Sequence, residues 1–129
     1  MTKLTEDQVQ IALAHWLKEK LPTDIIWCAV CNERDSTAAR GNKFKKMGIR
    51  AGWSDLQFFR KNNSGENEIY FLELKLANRI NQKNGGMSDK QIDFMASWQG
   101  WRNVRTATAW GFPHAREIVA EWFAISPSL

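Results

Sequence analysis

Nine residues, EIYFLELKL from Glu68 to Leu76, restrict the fold more than any other stretch of the chain. Side chains alternate along a strand, so Phe71, Glu73 and Lys75 share one face and Tyr70, Leu72, Leu74 and Leu76 the other. The run reads as a buried strand that carries an acid and a base among apolar neighbours. Two residues along a strand span roughly 6.6 Å, which makes Glu73 and Lys75 neighbours without requiring contact. An unpartnered buried carboxylate or ammonium costs several kcal/mol. A metal ion or a substrate phosphate would offset that cost. The alternative is a half-exposed sheet face, where such a pair is worth under about 1 kcal/mol.

The flanking sequence supplies partners for this strand. DLQFFR, from Asp55 to Arg60, precedes it across KNNSGEN, whose Asn, Ser and Gly residues suit a hairpin turn, so the two strands are expected to be antiparallel neighbours. Thr5 opens TEDQ, a capping-box pattern. Val9, Ala12, Leu13, Trp16, Leu17 and Lys20 then recur at helical spacing up to Pro22. Ile25 to Cys31 reads as a first strand, and Asn32 to Ser54 shows no sustained period of either kind, the mark of a long connection. Ser88 opens a second capping box, SDKQ, followed by a helix with Ile92, Phe94, Met95 and Trp98 that runs to about Gln99 and ends at Gly100. Val104 to Trp110 is strand-like. Pro113 suits the first residue of a last helix with Ala115, Ile118, Val119 and Trp122 on one side. The resulting order, helix, three strands, helix, strand, helix, predicts a mixed α/β layer architecture in one domain spanning 1–129.

Composition narrows the function classes. A formal charge of +4 and an isoelectric point near 9.3 favour an anionic partner. No apolar run approaches the roughly 18 residues that cross a bilayer, and MTKLTEDQVQ has no signal-peptide segment, so no membrane partner and a cytoplasmic location are expected. Cys28 and Cys31 fall on opposite faces of their strand with no second Cys/His pair, which predicts two small buried thiols in a reducing compartment. His15 and His114 are far apart, which argues against a zinc site and against a His-metal nuclease. No Gly-rich phosphate loop with a following Lys and Ser or Thr occurs. The seven Trp are expected in the core, with Trp101, Trp53 and Phe44 as the aromatic residues that could instead stack on unpaired bases.

Asp55 adds a carboxylate at the start of the neighbouring strand, just after GIRAGWS, where Gly48 and Gly52 permit close approach. Mg²⁺ and similar hard cations take oxygen ligands, often only one or two carboxylates plus water and phosphate oxygens. Asp55 and Glu73 meet that need, with Lys75 beside the ion to orient or deprotonate a water or to stabilise developing charge.

GIRAGWSD, FLELK and SDKQIDF together resemble the PD-(D/E)XK nuclease superfamily, specifically its virus-type replication-repair nuclease branch, and the resemblance extends from TEDQVQ to RTATAW. It implies a restriction-endonuclease-like αβββαβ core, a mixed central sheet flanked by helices, here with an extra C-terminal helix. It also implies that Asp55 and Glu73 are metal-binding acids, with the Leu74 backbone carbonyl as a further ligand of Mg²⁺ or Mn²⁺, that Lys75 is the catalytic lysine, and that Gln91 supports the site. Gln91 has a second reading as the member that completes its capping box. Glu6 matches a further acid on the first helix, and reads equally as a first-turn acid favoured by the helix dipole. Asn32 and Glu33 resemble a segment after the first strand. Ser54 departs from the family pattern, which has Pro before the acid. The activity implied is metal-dependent hydrolysis of DNA, with RNA left open, by a structure-selective endonuclease of branched or junction DNA working as a homodimer in replication, repair or recombination. The other class of function is a non-catalytic nucleic-acid-binding or assembly module that retains the fold.

The long connection before Asp55 is basic. Arg34, Arg40, Lys43, Lys45, Lys46 and Arg50 are opposed only by Asp35, and they read either as a phosphate clamp or as a solvated charge run.

Overall fold

The structure, a computed structural model, describes residues 4–30 and 38–129, with the backbone alone described at 38–40. Cys31, Asn32, Glu33, Arg34 and Asp35 lie outside the described residues, as does the side chain of Arg40. Within them the protein is an α/β fold in the order α1 (Glu6–Lys20), β1 (Ile26–Ala29), α2 (Ala38–Lys46), β2 (Leu56–Lys61), β3 (Asn67–Lys75), α3 (Asp89–Ala96), β4 (Val104–Trp110) and α4 (Phe112–Phe123). The four strands form one open, mixed sheet in the order β1-β2-β3-β4: the first three are antiparallel, and β4 runs parallel to β3. Among the described residues no helix is long and apolar enough to cross a membrane.

Both sequence-predicted capping boxes form. The Thr5 hydroxyl accepts from the Gln8 amide while the Gln8 side chain accepts from Thr5 N–H, and Ser88 and Gln91 make the same reciprocal pair. Helix α1 then buries Val9, Leu13, Trp16 and Leu17, each such side chain contributing about 1.5–3 kcal/mol. In the hairpin, the Asn62 side chain accepts from the amides of Ser64 and Glu66, and Gly65 takes the positive φ that closes the turn.

The segment expected to be a plain connection contains α2. Among its described side chains this helix carries one half-buried apolar group, Phe44, and its sequence offers no stripe for periodicity to report. Its end is well specified: Ile49 N–H reaches the Phe44 carbonyl and Gly48 N–H the Lys45 carbonyl, with Gly48 at φ 86, the pattern of a Schellman cap. Other boundaries shift by a residue or two. Helix α3 gives way after Ala96 to tighter turns, Trp98 N–H to Met95 O and Gln99 N–H to Ala96 O, before Gly100 at φ 79. Helix α4 begins at Phe112, with Pro113 second. The polar segment after β3 forms one short 3₁₀ turn, Ala77–Asn81, and then a turn over Lys83–Gly86 in which Asn84 and Gly85 take positive φ.

The sheet has two unlike faces. Leu56 and Phe58 of β2, Tyr70, Leu72 and Leu74 of β3 and Ala109 of β4 join Leu13, Trp16 and Leu17 of α1 and Ala115, Val119 and Phe123 of α4 in the main core. On the opposite face Phe71 packs against Trp53, Phe94 and Trp98, with ring centroids 5.8, 5.2 and 4.8 Å away, so the crossover through α3 covers this side. Register extends that second face into rows. Gln57, Phe71 and Thr106 align, and the next step along β3 places Glu73 beside Thr108.

Two expectations about burial are corrected here. Cys28 is exposed, because β1 is an edge strand and only one side of it is covered. Trp101 is 61% exposed, whereas Trp16 is 3% exposed and in the core. The remaining five Trp are partly buried.

Candidate active site

Glu73 and Lys75 are 2% and 5% exposed, which removes the surface-pair alternative. The Lys75 ammonium lies 3.8 Å from Glu73 Oε1, an ion pair held inside the protein. Strand register delivers the second acid. Leu56 faces Leu72, so one further step sets Asp55, 2% exposed, across from Glu73 on the adjoining strand. Asp55 Oδ2 accepts from Leu74 N–H at 2.7 Å, which fixes the carboxylate against β3 just beyond the last β2 pair. A strand residue presents its N–H and C=O to the same side. The Leu74 carbonyl therefore points toward the Asp55 side too.

Gln91 resolves a choice that the sequence left open, because it does both jobs. Its carbonyl oxygen accepts from Ser88 N–H at 2.9 Å to complete the capping box, and its amide nitrogen donates to Glu73 Oε1 at 2.9 Å. The cap thus orients the very group that restrains the acid. Gly52 allows α3 this close: at φ 87, a Cβ there would fall 2.5 Å from the Lys90 carbonyl carbon and oxygen and 2.9 Å from Gln91 N. Gly48 has open space around it, so its role is the cap conformation and not close approach. Ser54, which stands where the resemblance leads one to expect Pro, is fully buried and donates its hydroxyl to the Leu56 carbonyl at 3.1 Å, restraining the start of β2 by a hydrogen bond.

Around Lys75 lies a wall that sequence reasoning missed. Trp110, the cross-strand neighbour of Lys75, donates its indole N–H to the Gly85 carbonyl at 2.8 Å. A Cβ on Gly85 would meet that indole at 2.4 Å, and one on Gly86 would meet the Arg79 guanidinium at 2.7 Å. Arg79 donates to the Gly86 carbonyl and to Gln82 Oε1, and pairs with Glu6 at 3.3 Å. Only the Gly85–Gly86 pair in the sequence signalled this turn; the contacts themselves span 25 and 73 positions.

Glu6 is thus held by Arg79 near the start of α1. Among the described residues no group of three or more His, Cys, Asp and Glu side chains is placed to hold a metal ion, so Glu6 does not form such a group with Asp55 and Glu73. What is present suits a hard divalent ion: two buried carboxylates on adjoining strands and a backbone carbonyl turned toward them. Of the basic residues, Lys43, Lys45 and Lys46 are exposed on the last turn of α2, and Arg50 donates to Ser97 Oγ at 3.2 Å with its guanidinium 5.8 Å from the Phe94 ring centroid.

At the far end of β3 a separate polar cluster forms. Glu68 Oε1 accepts from the Tyr70 hydroxyl at 2.6 Å and from Arg60 Nε at 2.7 Å, and these two bonds hold its carboxyl below the usual glutamate value. Burial, reinforced by the bond to Glu68, pushes the Tyr70 phenol up. The cluster borders a cavity of about 140 Å³ lined by Glu68, Tyr70, Asn103, Val104 and Arg105.

No family model, curated protein or solved structure matches the chain.

Proposed function

We propose that the chain is a metal-dependent phosphodiesterase acting on nucleic acid, an endodeoxyribonuclease using Mg²⁺ or Mn²⁺. The observation that carries this reading is the buried Glu73–Lys75 pair, with Asp55 across from it and Gln91 bonded to Glu73. A structural ion pair has no need of a second buried acid on the next strand. An ion-holding site does. The resemblance to the PD-(D/E)XK superfamily assigns the same residues the same roles, and the element order accommodates its αβββαβ core with α2 inserted and α4 added.

Asp55, Glu73 and the Leu74 carbonyl would hold the ion, which when bound supplies Lewis-acid stabilisation of phosphoryl charge and a more acidic water. The chain's own residues do the rest. Gln91 keeps Glu73 in one rotamer, so no reorganisation is needed at the moment of reaction. Lys75 holds a positive charge beside the acids, where it orients the attacking water and opposes the negative charge that builds on the phosphoryl oxygens. Lys43, Lys45, Lys46 and Arg50 contact the phosphate backbone without reading sequence. A homodimer, with two symmetry-related sites, suits branched or junction DNA in replication, repair or recombination. The exposed Cys28 thiol fits a reducing, cytoplasmic setting.

The test is cleavage of end-labelled single-stranded, duplex, flap and four-way DNA with Mg²⁺ or Mn²⁺ and with EDTA. Metal-dependent cutting that Glu73→Gln abolishes supports the proposal, and equal activity in EDTA rejects it. The second reading is a binding module without chemistry. It predicts DNA binding without cleavage under every condition, unaltered by Glu73→Gln.

A further inference from the structure

Trp101 sits at the rim of the second apolar cluster of the sheet, 61% exposed, yet it is not a loose side chain. Its N–H bonds the Trp98 carbonyl at 3.1 Å in the turn that Gly100 permits, and its ring meets Trp98 at 5.1 Å and 69°. Trp98 is in turn stacked on Phe71 at 4.8 Å and 28°, two residues before Glu73 on the same face of β3. A path of packed rings therefore leads from Phe71, two residues before the buried acid, to an open indole. Large exposed aromatic surface on a fixed support is what sequence-independent binders of unpaired strands use, because every base has a π-face.

We infer that Trp101 is a stacking platform for an unpaired base of a nucleic-acid strand whose scissile phosphate lies at Glu73. This rests on the nuclease reading for the direction of the strand, and it specifies the substrate class as DNA with a single-stranded segment beside the cut. Charge supports the choice of occupant. Arg50 is exposed and bonded to Ser97, the residue before Trp98, which puts a cation on the same end of α3 as the indole. Arg102 is not counted, since Glu66 pairs with it at 3.0 Å; Asp89 and Asp93 are the acids that α3 itself contributes.

The experiment measures binding in EDTA, which separates it from cleavage. The wild-type chain, Trp101→Ala and Trp101→Phe are titrated by fluorescence anisotropy against a blunt duplex and the same duplex with a short single-stranded tail. Trp101→Ala should weaken the tailed ligand by about 5- to 160-fold, the span for loss of one base–aromatic stack. It should leave the blunt duplex within about twofold, and Trp101→Phe should keep most of the difference. A 2-aminopurine in the tail should be quenched by the wild type and not by Trp101→Ala. Unchanged affinity for the tailed ligand, or equal losses on both ligands, overturns the inference. So does a Trp101→Ala chain that turns from dimer to monomer while its affinity for the tail holds, which would make the indole a protein contact. Trp101-dependent binding without any metal-dependent cleavage would reject the nuclease and keep the platform; cleavage with Trp101-independent binding would do the reverse.

Discussion

Replacing Glu73 by Gln and Lys75 by Met, singly and together, measures how strongly the two buried charges hold each other. At 3.8 Å and an effective dielectric constant of about 20, Coulomb's law gives about 4 kcal/mol. The substitutions are chosen to isolate that term. A glutamine at 73 still accepts from Gln91, and methionine at 75 retains the packed aliphatic stem. Glu73→Gln alone takes the nearer carboxylate from an ammonium that is 6% exposed at its side chain; breaking a buried pair costs up to about 3–5 kcal/mol, less whatever relief of repulsion from Asp55 returns. The double variant buries two neutral groups and should recover much of that loss. Any relief of repulsion between Glu73 and Asp55 appears in both arms of the cycle and cancels. Urea unfolding in EDTA at neutral pH reads the result: with an m-value of about 1–3 kcal/mol/M, a loss of about 3 kcal/mol moves the midpoint by about 1–3 M. The expected coupling is about 3–4 kcal/mol, little changed by 1 M NaCl because the pair is shielded from solvent ions. A coupling under about 1 kcal/mol that salt abolishes is the signature of a surface pair, and it would refute the buried-site argument.

Further expectations concern the supports of the site. Gly52→Ala forces a Cβ into the α3 backbone at positive φ and should cost about 2–4 kcal/mol, whereas Gly48→Ala meets open space and should cost about 1–2 kcal/mol from φ alone; thermal melts of both variants decide this. Tyr70→Phe removes a donor to Glu68 and should cost about 1–2 kcal/mol at pH 7. Because the folded Glu68 value is depressed, its contribution is complete above the ordinary glutamate value of about 4.3 and is lost as pH falls through the folded value. The wild type and Tyr70→Phe should therefore converge in stability as pH falls through the depressed folded value, and a difference that stays constant throughout acid titration of the folded protein would contradict that assignment. Trp110→Phe loses the bond to Gly85 and should slow DNA cleavage more than it lowers the melting temperature; a proportionate fall in both would make the wall beside Lys75 merely structural.

Local signals carried most of the architecture. The two capping boxes, the Asn-rich hairpin and the alternation of β3 were all legible, because each rests on interactions within a few residues of one another. Helix α2 was not, since its single half-buried ring leaves no period to detect, although Gly48 marked where a helix would stop. Alternation placed Glu73 and Lys75 on one face but could not tell whether that face met solvent, which depends on α3 and Trp53 arriving from distant parts of the chain. The same limit misjudged Cys28: nothing in four apolar residues distinguishes an edge strand from a central one. The dual bond of Gln91 was visible only as two competing readings. Arg79 and Trp110 gave no sequence signal, because their partners are set by tertiary folding alone.

Titration of Mn²⁺ followed by electron paramagnetic resonance, with the wild type and with Asp55→Asn and Glu73→Gln, addresses the ion-holding site without any assumption about substrate. Saturable loss of the free-ion signal in the wild type, abolished or weakened at least tenfold in each variant, is the expected result. Identical titrations for all three proteins would show that these carboxylates do not form an ion site.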